Sequence, residues 1–190
     1  MQLNGTVTAD RPLLVLAVAE EAAHLDGDLP VLLTGMGKVN AAAALATVLA
    51  GGPKPSAVVN LGTAGALRPG LDGRTHEIGT VLQHDLDARV LRLLTGRAVG
   101  EPLELAADGP VLATGDLFVS DPVARDRLAE QAHLVDMEGY ALASVARRAG
   151  VPVRLVKHVS DEAGEGADRV WRETVDDCAK VLAQWVREHL

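Results

Sequence analysis

Apolar positions in this chain follow two patterns that alternate along its length. Short apolar runs predict buried strands at residues 13–18, 31–34, 57–61, 80–83, 111–114 and 153–159. Helical spacing of apolar residues predicts helices at residues 38–50, 123–133, 141–149 and 169–189. This order of strands and helices predicts an α/β fold in which helices cover a mixed or largely parallel sheet.

Residues 86–109 have the least regular pattern. They could form two strands joined by a turn, or one strand and an irregular loop, and we predict strands there. No tandem repeat, low-complexity linker or block of charge divides the chain. Residues 1–190 are therefore predicted to form a single domain.

The composition excludes several classes of protein. The chain has a formal net charge of -8 at pH 7, so it lacks the excess of basic residues that binding to polymeric nucleic acid requires. The single cysteine, Cys178, cannot form an internal disulfide or a cysteine metal cluster, which fits a reducing compartment. No segment reaches the roughly 20 apolar residues of a membrane helix, and residues 1–12 lack a secretion leader pattern. We therefore expect a cytoplasmic protein with no membrane partner.

Two carboxylates flank one helix-strand unit in the second half of the chain. Glu138 precedes the helix and Asp161 follows the valine-rich strand. In open α/β sheets, ligands bind beyond the carboxyl ends of the strands, so Asp161 is placed at a candidate site. The alternative is structural: Glu138 would cap the helix and Asp161 would lie in a turn.

Two glycine motifs follow predicted strands. The sequence GMGK at residues 35–38 is not a nucleotide phosphate loop, because Val39 stands where that motif needs a hydroxyl. It could approach a ligand or allow tight packing. The sequence GTAG at residues 62–65 offers backbone N–H groups and the Thr63 hydroxyl to a small polar ligand. Its alternative is a turn with a glycine at positive φ.

Other polar clusters carry weaker signals. Glu20 and Glu21 follow the first strand and could form a solvated first helical turn. His84 begins the sequence HDLD, but no second histidine follows at ligand spacing, so we predict no metal site. His158 is expected to be an interior histidine. Nucleophilic serine chemistry lacks its GxSxG motif, which leaves the acids to carry any catalysis.

Seven motifs in order resemble those of a known family. They are AVAEEAAHL, GMGKVNAAAA, VVNLGTAGAL, IGTVLQHDLD, TGDLFVSD, VDMEG and VKHVSDEA, and they span nearly the whole chain. The chain thus resembles the purine nucleoside and uridine phosphorylase superfamily, and most closely its methylthioadenosine/S-adenosylhomocysteine nucleosidases. The resemblance implies a three-layer α/β/α sandwich that acts as a homodimer without cofactor or metal.

The resemblance also implies catalytic roles. Asp161 matches the general acid that protonates N7 of the departing purine, and Ser160 helps to position it. Glu138 matches the acid that binds the ribose hydroxyls, with Met137 beside the sugar. Glu20 matches the carboxylate that activates the attacking water. Cleavage of an N-glycosidic bond suits such acids, because one protonates the leaving base while anionic groups stabilise a cationic sugar.

The remaining site residues implied by the resemblance contact the two ends of the nucleoside. Phe118 and the backbone of Val119 match the contacts to the purine face and edge. Thr63, Ala64 and Gly65 match the lining of the sugar and nucleophile side. The predicted reaction is hydrolysis of a purine nucleoside, such as methylthioadenosine or S-adenosylhomocysteine, to free base and sugar.

Two departures from the family pattern keep alternatives open. The arginines with which phosphorylases bind phosphate are absent, and Asn60 and Leu61 stand in one of their places, so water is the expected nucleophile. Residues 86–109 are shorter than in typical nucleosidases, in a region that contributes to the pocket for the 5′ substituent. The alternatives are a phosphate-dependent phosphorylase, a hydrolase of futalosine-like nucleosides, and a silent nucleoside-binding protein.

Overall fold

The computed structural model describes residues Met1–Leu190 as one mixed sheet with five helices. The strands are β1 (Gln2–Asn4), β2 (Leu13–Leu16), β3 (Val31–Leu33), β4 (Val58–Ala66), β5 (Thr75–Glu77), β6 (Thr80–Gln83), β7 (Leu103–Glu104), β8 (Val111–Thr114), β9 (Leu134–Asp136) and β10 (Val153–Asp161). The helices are α1 (Lys38–Gly51), α2 (Ala88–Thr95), α3 (Pro122–Ala129), α4 (Gly139–Ala149) and α5 (Ala167–His189). None of these helices has the combination of length and apolar composition that crossing a bilayer requires.

Strand β4 organises the sheet, because three strands pair with it. Strand β10 runs parallel to it along one edge, from Val58 to Gly65. On its other edge, β2 pairs in parallel with the first half of β4, and β9 pairs antiparallel with its last residues. The ends of β4, β9 and β10 therefore converge.

The sheet is covered on both faces, as predicted. Alternate residues of β2 point to opposite sides, because side chains in a strand alternate with a period of two. Leu13 and Val15 pack with α1 and α4, whereas Leu14 and Leu16 pack in the cluster that contains Leu182 of α5. The prediction of a three-layer α/β/α sandwich with a mixed sheet is confirmed.

The prediction of strands in residues 86–109 is wrong for most of that segment. Residues Ala88–Thr95 form α2, and only Leu103–Glu104 form a strand. Asp87 caps the helix by accepting a hydrogen bond from the backbone N–H of Val90 at 2.9 Å. Gly96 ends it in the left-handed conformation, at φ 66°. An acidic cap and a glycine stop were therefore present in the sequence.

Strand β4 also extends further than predicted, through the sequence GTAG to Ala66. Neither Gly62 nor Gly65 has a positive φ, so this segment is not a glycine turn. Small residues are needed there because a Cβ at Gly65 would lie 3.0 Å from the Ala163 side chain and 3.1 Å from Asp161 Oδ1. The glycines thus allow close approach from both sides of the strand.

Candidate active site

A cavity of about 270 Å³ lies where the ends of β2, β4, β9 and β10 meet. This position agrees with the rule that ligands bind beyond the strand ends of α/β sheets. Nine of the ten site residues predicted from the sequence line it: Thr63, Ala64, Gly65, Phe118, Val119, Met137, Glu138, Ser160 and Asp161. The tenth, Glu20, does not.

Glu20 is exposed, and its neighbour Glu21 occupies the cavity wall instead. Glu21 is only 5% exposed and accepts hydrogen bonds at Oε1 from the backbone N–H of Thr63 at 2.8 Å and from the Thr63 hydroxyl at 2.9 Å. Its other oxygen, Oε2, is buried without a partner. The two acids lie in an irregular turn after β2, so neither strand nor helix periodicity indicates which one faces inward.

Asp161 lies at the end of β10, just after an irregularity in the pairing with β4. Its Oδ2 accepts a hydrogen bond from the Ser160 hydroxyl at 2.8 Å, and its Oδ1 accepts one from the backbone N–H of Ala163 at 2.9 Å. Burial raises the pKa of Asp161, and these two hydrogen bonds only partly oppose it. The neighbouring Glu162 is exposed, and burial rather than a nearby anion is the cause of the shift.

Glu138 immediately precedes α4 and is buried. The Gly37 backbone N–H donates a hydrogen bond to its Oε1 at 2.7 Å, so the GMGK loop holds this side chain in place. Burial and the nearby Asp136 carboxylate raise the pKa of Glu138 to about 7, against the opposing effect of Lys157. Glu138 is thus poised between its two protonation states near neutral pH.

A buried ion pair supports these acids and was not anticipated from the sequence. Lys157 of β10 is 2% exposed, and its Nζ lies 2.9 Å from Asp136 Oδ2. Burial disfavours the charge on Lys157, but Asp136, Glu138 and Glu21 outweigh that effect and raise the pKa of the lysine. The available signal was a lysine inside the apolar run of residues 153–159, where a charge must find a buried partner.

The same ion pair is fixed by further hydrogen bonds to Asp136. This carboxylate accepts a hydrogen bond from the Thr114 hydroxyl at 2.6 Å and another from the Gly139 backbone N–H at 2.8 Å. Gly62 makes room for the cluster, since a Cβ there would lie 3.3 Å from Lys157 Nζ and 3.2 Å from Glu21 Oε1. Asp136 of β9 is therefore held in place by residues of β8 and β10 and by the first residue of α4.

Apolar side chains from two loops form the opposite wall. Phe118 and Leu117 follow β8 and are exposed, whereas Val119 is buried. The loop before α1 contributes Met36. This pairing of apolar surfaces suits a flat aromatic base above the polar strand ends.

The HDLD segment joins these two loops. Asp85 contacts Lys38 Nζ at 2.5 Å and accepts a hydrogen bond from the Asp116 backbone N–H at 2.9 Å. Asp116 in turn accepts one from the Lys38 backbone N–H at 2.7 Å. His84 lies against Gly115, and burial lowers its pKa. The segment therefore links loops through an ion pair and backbone contacts.

Comparison with known proteins agrees with this geometry. The model of the family described as Phosphorylase superfamily matches residues 24–189. The chain belongs to the phosphorylase superfamily. The resemblance drawn from the seven motifs is thereby confirmed.

Individual members of the superfamily are similar over most of their length. A 5′-methylthioadenosine/S-adenosylhomocysteine nucleosidase of Anoxybacillus flavithermus is 34% identical, over 74% of this chain and 71% of the relative. The structure of the S-adenosylhomocysteine nucleosidase of Streptococcus pyogenes with 5-methylthiotubericidin is 26% identical, with a TM-score of 0.78 and 95% of each chain covered. A futalosine hydrolase mutant of Helicobacter pylori shares the fold, with a TM-score of 0.81, 20% identity and coverage of 95% and 97%.

Proposed function

We propose that this protein hydrolyses the N-glycosidic bond of a purine nucleoside, with a 5′-modified adenosine such as methylthioadenosine or S-adenosylhomocysteine as substrate. The observation that carries the proposal is the set of three carboxylates around one cavity. Glu21, Glu138 and Asp161 have different partners and therefore suit different tasks. Two of the relatives described above are nucleosidases, which supports the same reaction.

Asp161 is the proposed general acid. Its burial raises its pKa, which favours the protonated form that must donate to N7 of the departing purine. Ser160 and the Ala163 backbone fix the direction of the carboxyl group. Proton donation of this kind accelerates such reactions by roughly 10² to 10⁴.

Glu138 is the proposed partner of the ribose hydroxyls. Its Oε1 is held by Gly37, and its position at the cavity wall leaves the carboxylate available to the sugar. The negative charge of the ionised form stabilises the oxocarbenium-like sugar of the transition state. Met137 lies beside it on the cavity wall and is proposed to pack against the sugar.

Glu21, rather than Glu20, is the proposed base for the attacking water. Its Oε1 accepts two hydrogen bonds from Thr63, and Glu21 lines the cavity, so a carboxylate of fixed orientation faces the space for the water. Water then adds to C1′ of the sugar and gives a proton to Glu21, as the C–N bond breaks and its electrons go to the base. The base leaves with a proton from Asp161.

The charge of the cavity favours water over phosphate as nucleophile. Acidic side chains dominate its charged lining: Glu21, Asp136, Glu138, Asp161 and Asp168. The one cationic lining residue, Arg172, already pairs with Asp168. A phosphate dianion would therefore meet mostly like charge, which opposes its binding.

We further propose that the protein acts as a cytoplasmic homodimer. Apolar residues with 75% or more of their surface exposed occur on α1, α2 and α3: Val39, Leu93, Leu94 and Val123. Side chains of this kind are normally covered by a partner when they form a patch. Sedimentation should give a dimer mass for the wild type and a monomer mass for a Val39→Asp, Leu93→Asp double variant. A monomeric wild type would contradict the proposal.

The deciding experiment measures base release with and without phosphate from methylthioadenosine, S-adenosylhomocysteine, adenosine, inosine and futalosine. Release without phosphate is the expected result. Glu21→Gln should abolish most of that activity, whereas its matched control Glu20→Gln should retain it. Strict dependence on phosphate would make the protein a phosphorylase, and tight purine binding without turnover would make it a binding protein. Preference for futalosine would assign it to that class of hydrolase.

A further inference from the structure

A tryptophan of helix α5 contacts the residue that holds Glu21. Trp171 lies in the second turn of α5 and lines the cavity. Its indole Nε1–H donates a hydrogen bond to the Thr63 hydroxyl at 2.9 Å. The helix itself is fixed to the sheet, since Val175, Ala179 and Leu182 are buried beneath it. The position of the indole is therefore set by the core.

The indole and the Glu21 carboxylate together fix the direction of the Thr63 hydroxyl, one as donor and the other as acceptor. An indole N–H can only donate, so the hydroxyl oxygen must be the acceptor in this bond. The hydrogen of the hydroxyl then remains free for the next oxygen, which is Glu21 Oε1 at 2.9 Å. The three groups form a chain with one direction, from Trp171 through Thr63 to Glu21.

This chain leaves the two oxygens of Glu21 in different states. Oε1 accepts hydrogen bonds from both the Thr63 hydroxyl and the Thr63 backbone N–H. Oε2 is buried without a protein partner. If the hydroxyl turned away, Oε1 would lose one of its two donors and the carboxylate could rotate. A fixed hydroxyl therefore holds the carboxylate in one orientation.

We propose that Trp171 is a positioning residue for hydrolysis, which acts through Thr63 to hold the Glu21 carboxylate in one orientation at the cavity wall, where the attacking water binds. The proposal rests on the proposed function for the role of Glu21. Trp171 does not itself exchange a proton with the substrate. Its contribution is preorganisation, which matters in catalysis because small errors in the placement of a reacting group slow the reaction.

A double-mutant cycle separates the N–H group from the bulk of the ring. Trp171→Phe removes the donor and keeps an aromatic side chain, and Thr63→Val removes the hydroxyl at nearly constant shape. We expect Trp171→Phe to lower kcat about tenfold, the size expected for one well-placed hydrogen bond, with a smaller change in KM. In the Thr63→Val background, Trp171→Phe should lower kcat no further, because the hydroxyl through which Trp171 acts is already absent.

Equal losses of kcat in both backgrounds would overturn the proposal, because they would show that Trp171 acts through packing alone. Wild-type kcat in Trp171→Phe would overturn it as well. Trp185→Phe is the matched control, since Trp185 is the only other tryptophan and stacks on His189, away from the cavity. It should leave kcat and KM unchanged.

A measurement without turnover tests the contact itself. In a Trp185→Phe background, Trp171 is the only tryptophan, so its fluorescence reports its surroundings. Thr63→Val should shift the emission maximum, and Thr63→Ser, which keeps the hydroxyl, should preserve it. An unchanged maximum in Thr63→Val would refute the contact and the proposal with it. If the wild type hydrolyses no nucleoside, the proposed function fails, whereas this shift still decides whether Trp171 engages Thr63.

Discussion

The floor and the rim of the cavity are built in opposite ways. The floor consists of Glu21, Asp136, Glu138 and Lys157, none of which is more than 8% exposed. The rim consists of Met36, Leu117 and Phe118, which are 48%, 62% and 42% exposed. The floor carries charge in the protein interior, and the rim carries apolar surface in contact with solvent.

This contrast separates two tasks. Charges on the floor are fixed by strand ends and backbone N–H groups, so their geometry hardly depends on the ligand. Side chains on the rim stand on loops that are joined by the contacts among Lys38, Asp85 and Asp116. Chemistry therefore belongs to the rigid floor, and the choice of base and substituent belongs to the rim.

The largest expected effect comes from Asp161→Asn, beside the floor. It should lower kcat by roughly 10² to 10⁴, because the amide cannot protonate the departing base. The fold should remain intact, since the Asn oxygen can still accept the Ala163 N–H and Ser160 can accept from the new amide. Base release and the melting temperature check both statements. Activity within a few-fold of the wild type would refute the role of Asp161.

The next largest effect is expected for Lys157→Met, which tests the floor as a structural unit. It leaves the carboxylate of Asp136 buried without its cation, and breaking such a pair typically costs about 3–5 kcal/mol. For a domain of this size, we expect the melting temperature to fall by about 10 °C. Lys180→Met is the control, because Lys180 makes only exposed ion pairs and should change the melting temperature little. Equal effects of the two substitutions would contradict the importance of burial.

Glu138→Gln should reduce activity and yet stabilise the unliganded protein at alkaline pH. The pKa of Glu138 is raised from 4.5 to about 7, so ionisation costs stability above pH 4.5, and the cost is complete above pH 7. The shift corresponds to a gain in the free energy of unfolding of up to about 3 kcal/mol for Glu138→Gln at pH 8, and to no gain below pH 4.5. Thermal unfolding at pH 4 and pH 8 measures this difference. A gain that is the same at both pH values would show that the charge is not its source.

The smallest effect is expected for His84→Ala, near the rim. The ring Nε2 of His84 is buried without a hydrogen-bond partner, so its removal breaks no bond of that atom. The backbone N–H of His84 keeps its hydrogen bond to Thr114. We expect kcat/KM to fall less than tenfold, and steady-state kinetics on the preferred nucleoside will measure it. A loss as large as that of Asp161→Asn would place His84 in the chemistry.

Much of the fold was evident from local patterns. Apolar runs located the major strands, and the spacing of alanine and leucine located α1, α4 and α5, because burial on one face imposes a period on the sequence. Helix α2 was missed because its exposed leucines resemble strand residues. Its signals were the cap Asp87 and the stop Gly96.

Some residues of the candidate site could be predicted from the sequence and others could not. Asp161 and Glu138 were predicted because a strand end and a helix start place them, and both positions are visible in the sequence. The choice between Glu20 and Glu21 was not, since both lie in a turn without periodicity. Tertiary contacts made that choice: Thr63 donates to Glu21, and Gly62 leaves the space that its carboxylate occupies.

The sequence by itself therefore determined the layers of this protein and the strand ends at which its acids lie, because hydrophobic periodicity is a local property. Only the tertiary structure decided how these acids are charged and directed. Lys157 becomes the counter-ion of Asp136 because β10 places it beside β9's carboxylate, and Trp171 reaches Thr63 because α5 folds back over the end of β4. Such pairings join residues far apart in the chain, and their energies depend on burial that no local pattern records.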